Sequence, residues 1–189
     1  MKITTTIVAA ILSSTALFAG TYNIDTDHSN FGFKVRHMMI SNVIGKFDKF
    51  KGSLEYDEKT GTLKKLSGTI QADSVNTANQ KRDAHLKSAE LFNVDKYPEI
   101  TFLLENTDSD YAYGKLTMHG VTKDVKLDLE NNGIVKDPWG NTRVGLELTA
   151  KLSRKEYGIT WNTVLEADGV AVSDTIKIDV QIEGILAKQ

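Results

Sequence analysis

Apolar and polar residues alternate with a period of two over most of this chain. Phe31, Phe33 and Val35 share one side, as do Leu66, Gly68, Ile70 and Ala72, and Ile100, Phe102 and Leu104. Later come Val144, Leu146, Leu148, Ala150 and Leu152, then Ile176, Ile178, Val180 and Ile182. Period two marks β-strands with one buried face. In Tyr111–Glu130 the pattern runs through a break. Ala112, Gly114, Leu116 and Met118 precede it on one side; Val125, Leu127 and Leu129 follow it, alternating with Asp124, Lys126 and Asp128. The break reads His119-Gly120-Val121-Thr122. Glycine at the first central position suits a type II′ turn, where φ is positive. The expected turn is therefore Gly120-Val121, pairing Leu116 with Val125, Gly114 with Leu127 and Ala112 with Leu129. A slip of one residue would set leucines opposite lysines.

Turn signals separate the strands at Asp57–Gly61, Asp108-Ser109-Asp110 and Asp137-Pro138-Trp139-Gly140. The count of long strands is about eight, and closure into an antiparallel barrel removes their edges. In Val43–Tyr56 the inward parity switches from Val43, Gly45 and Phe47 to Phe50, Gly52, Leu54 and Tyr56. A β-bulge at Asp48-Lys49 is the expected repair. One stretch does not alternate, Thr77 to Phe92. There Thr77-Ala78-Asn79-Gln80 fits a capping box, and Ala78, Arg82, His85/Leu86 and Ala89 follow helical spacing. A second short turn is expected to carry Leu91 and Phe92. The fold class is thus all-β, an antiparallel eight-stranded barrel with a short helical insert near one end. An outer-membrane barrel would carry its apolar band outward between aromatic girdles. Here the polar face is dense in Lys, Asp and Glu, so the apolar face is read as the core.

The first residues, MKITTTIVAAILSSTALFAG, show one lysine, an apolar run and then small residues. This is the layout of a secretory signal peptide, residues 1–19, cleaved after Ala19. A single domain, residues 20–189, follows. A membrane span needs about 20 apolar residues, and no later segment approaches that. The chain has no cysteine, so disulfides, zinc–thiolate sites and thiol nucleophiles are excluded. Export without cysteine fits the periplasm. A formal net charge of −2 and no basic patch in the sequence argue against a nucleic-acid partner.

Little in the sequence points to catalysis or metal. His28, His37, His85 and His119 are far apart and match no helical metal-ligand spacing. His119 is expected on the polar side of its turn, His28 capping a turn, and His37 inward or at a rim. Asp27, His28 and Ser29 are neighbours that a strand would point to opposite faces, so they form no local triad. No Gly-x-Ser-x-Gly elbow occurs. No cofactor is implied. Trp139 and Trp161 are read as core or rim aromatics. Inward ionisable groups number only His37 and Tyr56. Arg82, Asp83 and Arg154 are read as a set of structural ion pairs at one barrel end. The small inward residues Gly68, Ala72, Ala112, Gly114 and Ala150 leave two readings open: an internal cavity, or close strand contacts in a filled core.

Six segments in order resemble one family. They are Asp27-His28-Ser29, Phe47-x-x-Phe50-x-Gly52, Arg82-Asp83-x-His85-Leu86, Tyr97-Pro98-x-Ile100-Thr101-Phe102, Gly114-x-Leu116-Thr117-Met118-His119-Gly120-Val121-Thr122-Lys123 and Arg154-x-x-Tyr157-Gly158. Their order and spacing resemble the YceI-like family of exported, polyisoprenoid-binding proteins with a lipocalin-like barrel. The likeness runs from about Thr21 to Leu186. Tyr157 stands where that family often has phenylalanine. The resemblance implies a long isoprenoid or similar lipid inside the barrel, and a homodimer. Candidate lipid contacts are then the inward residues Phe31, Phe33 and Val35; Ile70; Leu86 and Phe92 of the insert; Phe102; Ala112, Gly114, Leu116 and Met118; Val125 and Leu127; Leu146, Leu148 and Ala150; and Ile178 and Val180. Arg82 and His85 are candidate head-group contacts. The function expected is a periplasmic, non-enzymatic lipid carrier. Its rivals are an enzyme acting on a lipid in the same cavity and a solid-cored adaptor for protein partners.

Overall fold

Eleven β-strands form one closed antiparallel barrel in the computed structural model, which describes residues 19–164 and 170–188. The segment read as a signal peptide lies outside the described residues, apart from Ala19. Three of the barrel's eight staves are each made of two strands in tandem. β1 (Ala19–Ile24) and β2 (Asn30–His37) make the first, β3 (Ser41–Phe47) and β4 (Phe50–Asp57) the second, and β5 (Thr62–Gln71) and β6 (Val75–Asn76) the third. The other five are β7 (Glu99–Thr107), β8 (Tyr111–Met118), β9 (Val121–Lys136), β10 (Thr142–Ser153) and β11 (Val172–Leu186). Neighbours in sequence pair around the barrel, and β11 closes it against β1 and β2. The expected fold class holds.

The parity switch in the second stave is real, but its device is a break rather than a bulge. The chain bends at Asp48-Lys49, and the next stave breaks beside it at the 3₁₀ turn Ala72–Ser74. Lys49 N–H donates to Ser74 Oγ at 3.0 Å and Gln71 N–H to the Lys49 carbonyl at 2.9 Å, so the two breaks satisfy each other's backbone groups. Breaking the staves side by side lets the wall turn without orphaned donors.

The hairpin between β8 and β9 also corrects the expectation. Its central residues are His119 and Gly120, with φ 52° and 75°, and Met118 pairs Val121. Two successive positive φ values make a type I′ turn, and histidine is among the residues that tolerate the left-handed region. Leu116 therefore faces Lys123, Gly114 faces Val125, and Ala112 faces Leu127. The shift is two residues, so the inward face is unchanged. Gly120 has a second constraint, because a Cβ there would lie 2.5 Å from the Tyr97 ring.

The helical insert is α1 (Gln80–Lys87), and its cap is Asn79, whose side chain accepts the Arg82 N–H at 3.0 Å. Thr77 is not the cap: Ala78 at φ 57° turns the chain between them. Ala89 falls beyond the helix. The following turn brings the Phe92 N–H to the Leu86 carbonyl at 2.9 Å and buries Phe92 beside Phe47.

Burial divides the barrel along its axis. At the end bearing the Asp57–Gly61, Asp108–Asp110 and Asp137–Asn141 turns, Tyr22, Leu54, Tyr56, Leu63, Val144 and Leu146 fill the interior. At the other end, a second cluster gathers Phe33, Phe47, Val75, Phe92, Ile100, Met118, Tyr157 and Ile159 beneath α1. Outward positions carry Lys, Asp and Glu, the reverse of an outer-membrane barrel.

Candidate ligand-binding cavity

Between the filled end and the α1 end, the barrel is hollow. A partly open cavity of about 170 Å³ has walls that are almost wholly apolar. That is slightly more than the roughly 150 Å³ at which a Leu/Ile/Phe-lined void stays dry and takes up benzene. Leu66, Leu127, Leu148 and Ile182 form its floor above the filled end. Val35, Val172, Leu86 and Leu91 stand around its upper rim.

Of the expected contacts, Phe31, Phe33, Val35, Ile70, Leu86, Phe92, Phe102, Leu116, Met118, Val125, Leu127, Leu148, Ile178 and Val180 line this cavity. Four do not. Ala112 and Leu146 are packed into the filled end. Gly114 is closed over by Phe102, so that an added Cβ would meet that ring at 2.8 Å and the Leu103 carbonyl at 2.4 Å. Ala150 sits on the inward face between Leu148 and Leu152 but lines no part of the void. Lining residues missed by the pattern include Ile24, Leu91, Ile159 and Val172, which come from strand ends and loops where alternation gives no signal. Among the small inward residues only Gly68 opens onto the cavity, where the nearest atom to an added Cβ is 3.9 Å away. The two readings of the small residues therefore both apply, at different heights in the barrel.

Neither candidate head-group residue lines the cavity. The Arg82 Nε donates to Thr77 Oγ1 at 2.7 Å and its Nη2 to the Thr77 carbonyl at 2.8 Å. Thr77 in turn donates to Asp83 from its N–H at 2.9 Å and its hydroxyl at 2.5 Å. Arg82 and Asp83 are thus joined through Thr77 rather than as an ion pair. His85 meets Glu90 at 2.8 Å and stands edge-on to Trp161. Tyr56, expected inward, is sealed in the filled end with its hydroxyl on Asn131 Oδ1 at 2.8 Å. His37 is at the rim, pairing with Ser41 and Val172. His119 is not simply solvated: its Nδ1 meets the Tyr157 carbonyl at 3.0 Å and its ring packs on Tyr97. Trp139 is neither core nor rim, but exposed on the Asp137–Asn141 turn.

One ionisable side chain does reach the wall. Arg154 is 2 % exposed and forms no ion pair among the described residues, contrary to expectation. Its Nη1 donates to the carbonyls of Ile159 at 2.8 Å and Trp161 at 2.7 Å, its Nε to Ser173 at 3.0 Å, and its Nη2 reaches toward Val172 at 3.4 Å. Burial pulls the guanidinium below its ordinary value, against the pull of the Asp174 charge. Three residues on, the Tyr157 hydroxyl is buried with no hydrogen-bond partner among the described residues, and burial pushes its pKa up to about 12.

Among the described residues one cluster has metal-ligand spacing, Asp25, His28 and Glu183. A cation already occupies it: the Arg143 guanidinium contacts Asp25 at 2.8 Å, Asp137 at 2.7 Å and Glu183. No described helix is long and apolar enough to cross a membrane.

Comparison with known proteins places this geometry. The YceI-like domain profile matches residues 22–184. A UPF0312 protein of Staphylococcus aureus is 35% identical over 163 residues, covering 86% of this chain and 95% of that one. The crystal structure of a YceI protein from Campylobacter jejuni superposes with a TM-score of 0.70 at 34% identity, over 87% of this chain and 96% of that one. A polyisoprenoid binding domain from Saccharophagus degradans shares the fold at 14% identity, with a TM-score of 0.69 over 90% of this chain and all of that one. With a matching profile over most of its length and relatives above 30% identity, this chain belongs to the YceI-like family.

Proposed function

We propose that this protein is a periplasmic, non-enzymatic carrier that shields the apolar chain of an isoprenoid or similar lipid inside its barrel. The hollow between the filled end and the α1 end carries the reading: about 170 Å³ of void walled by Phe, Leu, Ile and Val. Each methylene moved from water into such walls gains about 0.8 kcal/mol. The Saccharophagus degradans domain of the same fold, which binds polyisoprenoid, supports an isoprenoid occupant. Catalysis has weak support, since the one ionisable group on the wall among the described residues, Arg154, spends its donors on backbone carbonyls. A void at the centre of the wall-to-wall contacts also speaks against a solid-cored adaptor. Export rests on the lysine, apolar run and small residues of Met1–Ala19.

The test uses Gly68. A leucine there enters open space and replaces a residue that weakens strands, so the fold should hold. Organic extracts of the purified wild-type protein should yield a long-chain lipid by mass spectrometry, and extracts of Gly68→Leu should yield little of it. Lipid recovered equally from both, or from neither, overturns the reading.

A further inference from the structure

The rim of the cavity carries two features that work against the stability of the fold. The first is the hairpin tip joining β2 to β3. The Ile40 N–H donates to the His37 carbonyl at 3.1 Å, closing a turn whose central residues are Met38 and Met39, at φ 47° and 60°. Such a turn favours Asn-Gly, and two methionines there are strained. They are also 43 % and 53 % exposed, with Ile40 at 80 % and Ile44 of β3 at 67 %. The tip is firmly held: Arg36 Nε donates to the Met39 carbonyl at 3.1 Å, and the Met38 N–H to the Ala171 carbonyl at 2.8 Å. Its base is cavity wall, because Val35 and Val172 line the void beside it.

The second feature is a row of like charges. Lys34, Lys177 and Lys151 lie directly opposite one another across β2, β11 and β10, all exposed. Arg36 and Lys155 extend the row toward the rim. Among the described residues none of the five is paired with a carboxylate. Like charges directly opposite in a sheet are destabilising, and this patch sits on a protein whose net charge is −2.

We propose that this end of the barrel docks on the surface of an anionic lipid bilayer, with Met38, Met39 and Ile40 dipping between the head groups and the row of cations resting on their phosphates. Apolar tip and unpaired cations together are what a water–lipid boundary rewards. The spacing fits: Lys34 is four residues from Met38, about 13 Å along a strand. Lysine stems also reach along apolar surface while keeping the charge at the phosphates. The inference rests on the carrier reading for its purpose, since docking sets the cavity rim against the lipid it would load.

Two variants separate docking from folding. Met38→Asn with Met39→Gly gives the turn its preferred residues, and Lys34→Gln, Lys151→Gln and Lys177→Gln removes the repulsion. Both should fold at least as stably as wild type. Co-sedimentation of the purified protein is compared on vesicles of phosphatidylcholine alone and of phosphatidylcholine with phosphatidylglycerol. Wild type should bind only the anionic vesicles, and less at high salt. The triple glutamine variant should partition on the order of 100-fold less, and the turn variant should also release. No binding by wild type, equal binding to both vesicles, or binding unchanged in the variants overturns the proposal. So does a dimer that the turn variant dissolves while vesicles bind nothing, since the tip would then be an interface between copies. Lipid extracted from a protein that ignores vesicles sinks docking and leaves the carrier standing; vesicle binding by a protein that yields no lipid does the opposite.

Discussion

Arg154 and Tyr157 lie three residues apart, both buried, and their polar atoms fare oppositely. Arg154 satisfies its donors on the carbonyls of Ile159, Trp161 and Ser173, while the Tyr157 hydroxyl has no partner among the described residues. An unsatisfied buried hydroxyl costs about 1–3 kcal/mol, and removing it without changing shape is neutral or stabilising. Tyr157→Phe should therefore raise the urea midpoint. Arg154→Lys should lower it, since a compact ammonium cannot span carbonyls that a planar fork reaches together. Opposite signs at neighbouring sites make the pair a sharp test. Tyr157 was legible as a departure from the phenylalanine expected from the family resemblance, but the lack of a partner for its hydroxyl among the described residues was not. Hydrogen-bond satisfaction depends on segments far apart in sequence, which alternation does not encode. The same holds for Arg82, whose place on the insert was legible while its capture by Thr77 was not.

At the scale of elements, the Asp137–Asn141 turn and the bend between β1 and β2 are clamped by Arg143. Burial alone would raise the Asp25 carboxyl, but hydrogen bonds from His28 and Arg143 hold it down at about 2. Asp137 is also raised by burial and more than lowered by bonds from Arg143 and Asn141, to well below the usual carboxylate range. Depressed folded values give stability that is present above the unfolded pKa near 4 and lost as pH falls through the folded one. Acid should thus destabilise the protein progressively between about pH 4 and 2. Arg143→Gln should cost stability at neutral pH, and its deficit should shrink across that window in urea titrations. A deficit independent of pH would mean that the clamp works by packing alone. Which strands exist was legible from period two, because one face of each is buried. Their register was less so: His119-Gly120 and Gly120-Val121 both offer a turn with positive φ, and the two registers differ by two residues and so keep the same inward face, which leaves alternation unable to choose between them.

Across the whole molecule, tight packing and void space are segregated along the barrel axis. Leu54, 1 % exposed in the filled end, should cost about 2–5 kcal/mol when changed to alanine. Ile178 already borders a void, so Ile178→Ala should cost less, about 1 kcal/mol, in the same denaturant titration. Equal costs would mean the two halves are packed alike. Strand patterns cannot show this division, because Leu146 and Leu148 look equivalent in sequence and yet one packs in the plug while the other borders the void. The floor of Leu66, Leu127, Leu148 and Ile182 has a kinetic meaning as well. A bore closed at one end admits a tail only tip first, and the tip must be the last part to leave. Escape then requires withdrawing the whole inserted length, with each methylene adding about 0.8 kcal/mol to the climb, roughly fourfold in dwell time. If a lipid tail is the occupant, as proposed, such a blind bore would sort chains by how long they stay, and a difference of only a few carbons would separate a passing guest from a resident one.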